Sequence, residues 1–267
     1  MLYTHIFPIV LGMTAGSFFN VLILRIPKGK SILWPSSHCT DCGHKISPWE
    51  NIPVLSYLFL KGRCSNCKTK ISPMYPSVEI LTALVLLLIW NHSGFDLSIP
   101  WYGNIVPILK ITSVMLLIPI SIIDLKHYII PDGFTIPFLL ISFLVSFIPG
   151  NITPVQSILG ILAGGGSLYL MGLIGTFILK KGEALGGGDI KMMAWFGALW
   201  GPQIALTGIV FGAFFGSAFG ISLMMIKKLS SDHKIPFGPF LGAGVALSAF
   251  AGNDIFQAYL SFVDSLF

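Results

Sequence analysis

Two aspartates in an otherwise apolar chain carry the first chemical signal. Asp124 ends the run "SVMLLIPISIID", and Asp189 follows three glycines in "EALGGGDIKMM". A carboxylate at the centre of a membrane helix costs about 2.5–3.5 kcal/mol on insertion scales, so an ionisable group in such a segment reads as functional, with a partner to be named. Each aspartate is followed two residues later by a lysine, Lys126 and Lys191, and counting helix crossings puts both at one membrane boundary. Each is therefore assigned as the other's partner. Two carboxylates a few ångströms apart cannot both ionise and share one proton. The ionised member can take a proton from a water attacking a carbonyl carbon while the protonated member donates to the carbonyl oxygen, which is the chemistry of peptide hydrolysis. Gly186, Gly187 and Gly188 would let an extended substrate strand come close and would permit positive φ. A plainer reading also fits the residues. Asp189 could cap a helix beginning at Ile190 while the glycines end the preceding one, and Asp124, Lys126 and Lys191 could be interfacial end residues. Asp132, in "IPDGFT", reads as a turn or N-cap before the fourth span.

A second constellation lies between the first two spans. "CTDCGHKISP" from Cys39 and "CSNCKTKISP" from Cys64 form a near-repeat, offset by 25 residues, that contains all four cysteines of the chain. The C-x2-C-x21-C-x2-C spacing is close to the four-cysteine zinc pattern. Cys39, Cys42, Cys64 and Cys67 can converge tetrahedrally on one structural zinc ion. Two disulfides are the alternative, and a cytoplasmic location argues against them. His38 and His44 flank the first knuckle and are read as surface residues, since four thiolates already complete the site.

The elements that must position these residues are membrane helices. The chain of 267 residues is 54% hydrophobic and 10% charged, with a mean hydropathy of +0.82. Soluble domains carry roughly a quarter charged residues, so the composition excludes a solvated globule. At about 20 residues per crossing, about eight spans can be drawn: 5–24, 75–91, 105–123, 134–149, 153–179, 190–201, 203–226 and 236–262, the sixth short. The first lacks the basic flank of a signal peptide and reads as a retained helix. Of the 16 Lys and Arg residues, only Lys110 falls toward the opposite side; the others share alternate spacers or the helix ends beside them. The positive-inside rule makes that side cytoplasmic and puts both termini outside. The net charge of +5 is thus a topology signal, and no basic stripe with interleaved aromatics points to nucleic acid.

"GGGD", "DLKHYIIPD" and the paired Cys-x-x-Cys loop, in this order, resemble the type IV prepilin peptidases. "GSFFNVLILRIP", "ENIPVLSYLFLKGRCSNCKTKIS" and "YPSVEILTA" extend the resemblance over nearly the whole chain. Gly186-x-Gly188-Asp189 matches the family's GxGD motif, and Asp124 its other catalytic aspartate. The GxGD motif alone is shared with presenilin-like proteases. The resemblance implies a bacterial inner-membrane enzyme that cuts the leader from type IV prepilins or pseudopilins at the cytoplasmic face. It further implies N-methylation of the new N-terminus from S-adenosylmethionine.

The expected fold is therefore an all-α polytopic membrane protein embedded in lipid, with a zinc-binding cytoplasmic loop domain. Its parts are a first helix (1–25), the four-cysteine domain (26–74), a second helix with an external loop (75–104) and a peptidase domain (105–267). The chain has no glycine-rich strand–turn–helix fingerprint for a nucleotide-like cofactor, so methyl transfer rests on the resemblance. Glu79, placed in the first turn of the second span, is a candidate for that site or for a substrate amine, or sits there only for the helix dipole. Gly164, Gly165 and Gly166 read as a close-packing stretch inside a span. A proton-coupled transporter also buries paired carboxylates, though usually near the midplane between repeated halves, and no such repeat is present here.

Overall fold

The computed structural model describes residues 2–90, 92–96, 98–149, 151–179, 185–226 and 235–264. Lys180, Lys181, Lys227, Lys228 and Lys234, used above for orientation, lie outside them. The described residues form ten α-helices: α1 (Leu2–Arg25), α2 (Leu55–Phe59), α3 (Met74–Trp90), α4 (Ile105–His127), α5 (Asp132–Val145), α6 (Pro154–Ile161), α7 (Ser167–Leu179), α8 (Gly187–Trp200), α9 (Pro202–Met225) and α10 (Gly238–Asp264). Strand pairing among them is limited to two isolated bridges, His38 with Lys45 and Arg63 with Lys70.

Four helical segments are long and apolar enough to cross a membrane: His5–Lys28, Trp101–His127, Pro154–Ile178 and Pro202–Met225. The apolar stretches Met74–Trp90, Asp132–Val145 and Gly238–Gly252 are shorter. α8 has 14 residues, about 21 Å at 1.5 Å per residue, short of a hydrocarbon core of about 30 Å. Burial accounts for its brevity. Every residue from Met192 to Leu199 is buried, so α8 is surrounded by protein and needs no lipid-spanning length.

The chain divides into two compact units, Met1–Pro119 and Ile120–Phe267, the division falling at the proline inside α4. In the first unit α1 and α3 pack closely through Gly12 and Gly16. A Cβ on Gly12 would lie 2.6 Å from Ala83 Cα, and one on Gly16 2.6 Å from Glu79 Cα. Asn20, one turn further, donates to the Tyr75 carbonyl at 3.1 Å. The register advances by four on α1 as it retreats by four on α3, so the pair is antiparallel. The spacing is the small-xxx-small pattern that lets membrane helices approach.

In the second unit α8 is the central post. Gly160 of α6 meets Gly197 backbone to backbone, and a Cβ on Gly165 would lie 2.7 Å from Ala194 Cβ. Leu162–Gly166 forms a π-helical turn between α6 and α7, where the wider coil and absent side chains admit α8. The expected close-packing role is met at Gly164, against Met193, and at Gly165, whereas a Cβ on Gly166 would meet only Leu162 at 3.9 Å. Gly208 and Gly212 do the same for α9 against α10, with added Cβ atoms at 2.8 Å from Val245 Cγ2 and 2.9 Å from Leu241 Cα.

Candidate active site and metal centre

Asp124 lies in the last turn of α4 and Asp189 in the first turn of α8. They are 6% and 8% exposed, respectively. Asp124 Oδ2 accepts the backbone N–H of Gly238, the first residue of α10, at 3.0 Å. That places the carboxylate at the positive end of a helix. Asp189 N–H donates to the Gly186 carbonyl at 3.2 Å, while its Oδ1 is buried and has no hydrogen-bond partner. The Asp124 charge acts on Asp189. Ile130 joins the two carboxylates' supports: a Cβ on Gly188 would lie 2.7 Å from Ile130 Cβ, and one on Gly238 3.2 Å from Ile130 Cδ1. The starts of α8 and α10 thus close on one side chain, and the two carboxylates come with them.

The glycine loop works differently from the expectation. α8 begins at Gly187 with Gly186 as N-cap at φ −70°, ψ 133°, so Asp189 is the third helical residue and not a cap at Ile190. Gly186, Gly187 and Gly188 all have ordinary φ. Their value is space. A side chain on Gly188 would strike Ile130, and one on Gly186 would approach Asp189 Oδ2 to 3.0 Å, whereas Gly187 faces nothing within 4 Å.

Asp132 starts α5, and Pro131 holds the N-cap position expected for it. Its Oδ1 pairs with Lys191 Nζ at 2.7 Å, and the two side chains are 55% and 42% exposed. Lys191 thereby ties the start of α8 to the start of α5 instead of serving only as an interfacial anchor.

The cysteine repeat in the first unit is structural as well as sequential. Cys39 N–H donates to the His44 carbonyl and Cys64 N–H to that of Thr69, both at 2.9 Å. Gly43 and Lys68 occupy the same left-handed position, at φ 72° and 61°. The four Sγ atoms lie within 4.8 Å of one another, with Cys39–Cys67 at 3.8 Å and Cys42–Cys64 at 4.0 Å. A tetrahedral ion with bonds of about 2.3 Å needs sulfurs about 3.8 Å apart, so the donor set fits one metal ion. These separations are far beyond a disulfide bond of about 2.05 Å. Hydrogen bonds to Thr69, its backbone first, lower the Cys67 thiol to about 6.

Neither flanking histidine joins the sulfurs. His38 Nδ1 donates to the Ser36 carbonyl at 3.0 Å, and His44 Nε2 pairs with Glu50 at 3.2 Å. Glu50 also accepts Ser47 N–H at 2.8 Å. The Ser65 hydroxyl, then Ser47 and His44, draw its carboxyl down to about 2. Glu50 thus links the two knuckles.

Glu79 is not in the first turn of its helix. α3 begins at Met74, so Glu79 lies in the second turn, beyond the reach of the terminal N–H groups. It is 7% exposed and its Oε2 accepts Val54 N–H at 2.7 Å. Val54 sits at φ 61°, ψ −49°, a conformation β-branched residues rarely adopt. Gly238, Ile130 and the Gly12/Gly16 pair escaped sequence reasoning. The signals were a glycine between Phe237 and Pro239 at the mouth of an apolar run, and two glycines four apart in α1.

Residues 10–93 match the bacterial peptidase A24 N-terminal domain, and residues 111–221 the type IV leader peptidase family. The prepilin leader peptidase/N-methyltransferase of Pseudomonas aeruginosa is 31% identical over 95% of this chain and 92% of its own length. The protein of the same name from Aeromonas salmonicida (strain A449) is 32% identical over 94% of this chain and 91% of its own. That of Myxococcus xanthus is 36% identical over 82% of this chain and 63% of its own. No solved structure matches. The chain belongs to the type IV leader peptidase family.

Proposed function

We propose that this protein is a membrane aspartic endopeptidase that removes the leader from type IV prepilins or pseudopilins and N-methylates the new N-terminus. The observation that carries the reading is the meeting of Asp124 and Asp189 around Ile130, in a chain whose relatives bear the peptidase/N-methyltransferase name. The Gly238 N–H favours negative charge on Asp124, whereas Asp189 Oδ1 has no donor. The shared proton is therefore placed on Asp189. Asp124 takes a proton from water as the water oxygen bonds to the scissile carbonyl carbon, and Asp189 gives its proton to the carbonyl oxygen. On collapse, Asp124 passes its proton to the leaving nitrogen as the C–N bond breaks, and Asp189 recovers a proton from the diol.

Zinc is the ion we assign to Cys39, Cys42, Cys64 and Cys67, because four thiolates at tetrahedral separation suit it. Holding both knuckles, it would supply much of the loop's folding energy. S-adenosylmethionine would supply an electrophilic methyl group for the amine exposed by cleavage. The distribution of Lys and Arg supports a bacterial inner-membrane topology of about eight crossings, with the zinc loop (26–74) and both aspartates cytoplasmic and both termini outside. On this reading 1–25 and 75–104 carry the first two helices and 105–267 the peptidase.

The test is purified protein in detergent with a leader-bearing prepilin, read by gel shift and by the mass of the new N-terminus. Wild type should release the leader and add one methyl group. Asp124→Asn and Asp189→Asn should each abolish cleavage, and the double variant should be no worse, because the pair acts as a unit. An intact precursor with wild type, or cleavage by either single variant, would refute the assignment.

A further inference from the structure

The first unit encloses a cavity of about 530 Å³ whose wall includes Asn20, Glu79, Tyr57, Lys28, Cys39 and Cys64. Its volume falls within the range of about 300–1,000 Å³ typical of small-molecule sites. The helical end of this cavity holds two buried acceptors on adjacent turns of the α1–α3 pair. Asn20 is 3% exposed; its Nδ2 is used on Tyr75, and its Oδ1 has no hydrogen-bond partner. Glu79, 7% exposed, accepts Val54 N–H on Oε2 and a hydrogen bond from the Ser17 side chain. Gly16 admits the Glu79 backbone against α1, which sets the carboxylate beside the turn that carries Asn20. The Asn20 carbonyl oxygen is left without a donor on the turn beside a buried carboxylate, and an unmatched buried acceptor is costly. The complement is a cation that also donates hydrogen bonds.

We propose that this cavity is the methyl-donor site, taking S-adenosylmethionine with its cationic end against Asn20 and Glu79. The proposal rests on the methyltransferase reading above and adds the residues that bind. One amine would fill only a corner of such a volume; an amino acid joined to a nucleoside matches it. Lys28 on the wall offers a positive partner for the donor's carboxylate, and Tyr57 an aromatic face for its base. Because Cys39 and Cys64 line the same space, the metal centre shapes the site without touching the reacting groups.

Isothermal titration of the full-length protein in detergent tests the assignment with three probes: S-adenosylmethionine, S-adenosylhomocysteine, which keeps the ammonium but lacks the sulfonium, and 5′-methylthioadenosine, which lacks both. Glu79→Gln and Asn20→Leu should each weaken S-adenosylmethionine about tenfold or more, the size of a lost hydrogen bond to a charged group. Asn20→Asp, which keeps an acceptor but loses the bond to the Tyr75 carbonyl, should bind S-adenosylmethionine more tightly than Asn20→Leu does. Binding of 5′-methylthioadenosine should barely respond to any of them. Metal content per chain reports whether each variant keeps its fold. Variants that bind S-adenosylmethionine as wild type does, while wild type methylates, would overturn the site and leave the function standing. Equal loss of all three probes with the metal retained would also overturn it, because shape and not charge would then govern binding. A wild type that neither binds the donor nor methylates would overturn both.

Discussion

Replacing Gly238 by alanine puts a methyl group where the Asp124 carboxylate already sits. The new Cβ would lie 2.6 Å from Asp124 Oδ2 and 3.2 Å from both Asp124 Cγ and Ile130 Cδ1, whereas ordinary contact begins near 3.4 Å. Oδ2 must retreat by about 0.8 Å to reach that limit, which stretches its 3.0 Å bond from Gly238 N–H past the roughly 3.2 Å limit of a good N–H···O bond. Losing a hydrogen bond to a charged group costs about 1.5–3 kcal/mol. At about 1.4 kcal/mol per tenfold, kcat/KM for leader cleavage should fall by a factor of about 10–150. The assay is cleavage of a precursor peptide in detergent, with the melting temperature checked on the same preparation. Gly188→Ala should also impair cleavage, because its Cβ would meet Ile130 Cβ at 2.7 Å. Adding Ile130→Ala should restore part of that loss, while Gly187→Ala, facing open space, should cost least. A Gly238→Ala protein that cleaves at the wild-type rate would show that Asp124 does not depend on this donor, and the mechanism above would fail.

Asp132→Asn should keep cleavage and lose less than about 1 kcal/mol of stability, because its ion pair with Lys191 is largely exposed. A dead Asp132→Asn beside an active Asp124→Asn would move Asp132 into the pair. Serine at Cys39, Cys42, Cys64 or Cys67 should release the roughly one metal ion expected per chain by mass spectrometry. Methylation should then fall further than cleavage, and a metal-free wild type performing both reactions would refute the link. Glu50 titrates in the folded loop at about 2, below its ordinary 4.5. A depressed carboxyl contributes stability that is complete above the unfolded value and lost as pH falls through the folded one. The melting difference between wild type and Glu50→Gln should therefore hold steady above about pH 5 and shrink toward pH 2; a difference that grows on acidification would contradict the Glu50 network.

The chemistry was legible from local spacing because the relevant groups identify themselves by type. A repeated Cys-x-x-Cys places two thiols on one tight turn, and the 25-residue offset reappears bond for bond in the folded knuckles. Asp124 and Asp189 stand out because a carboxylate in an apolar run is costly wherever the helices go. Hydropathy likewise showed an all-helical membrane chain, since that pattern depends only on lipid as solvent.

What needed the tertiary structure is how those groups are held. The donor to Asp124 comes from Gly238, far along the chain, and a backbone N–H leaves no mark of its identity in the residue sequence. Local pattern started α8 at Ile190, but the helix begins at Gly187, and Gly188 within it packs against Ile130, a contact no spacing rule contains. Glu79 looked like a first-turn residue until α3 was seen to begin at Met74. Nothing in the spacing singles out Asn20, whose Oδ1 is buried without a partner. Residue type and spacing determine which chemistry is available; only the packing of helices distant in sequence decides which donor, which neighbour and which cavity each group receives.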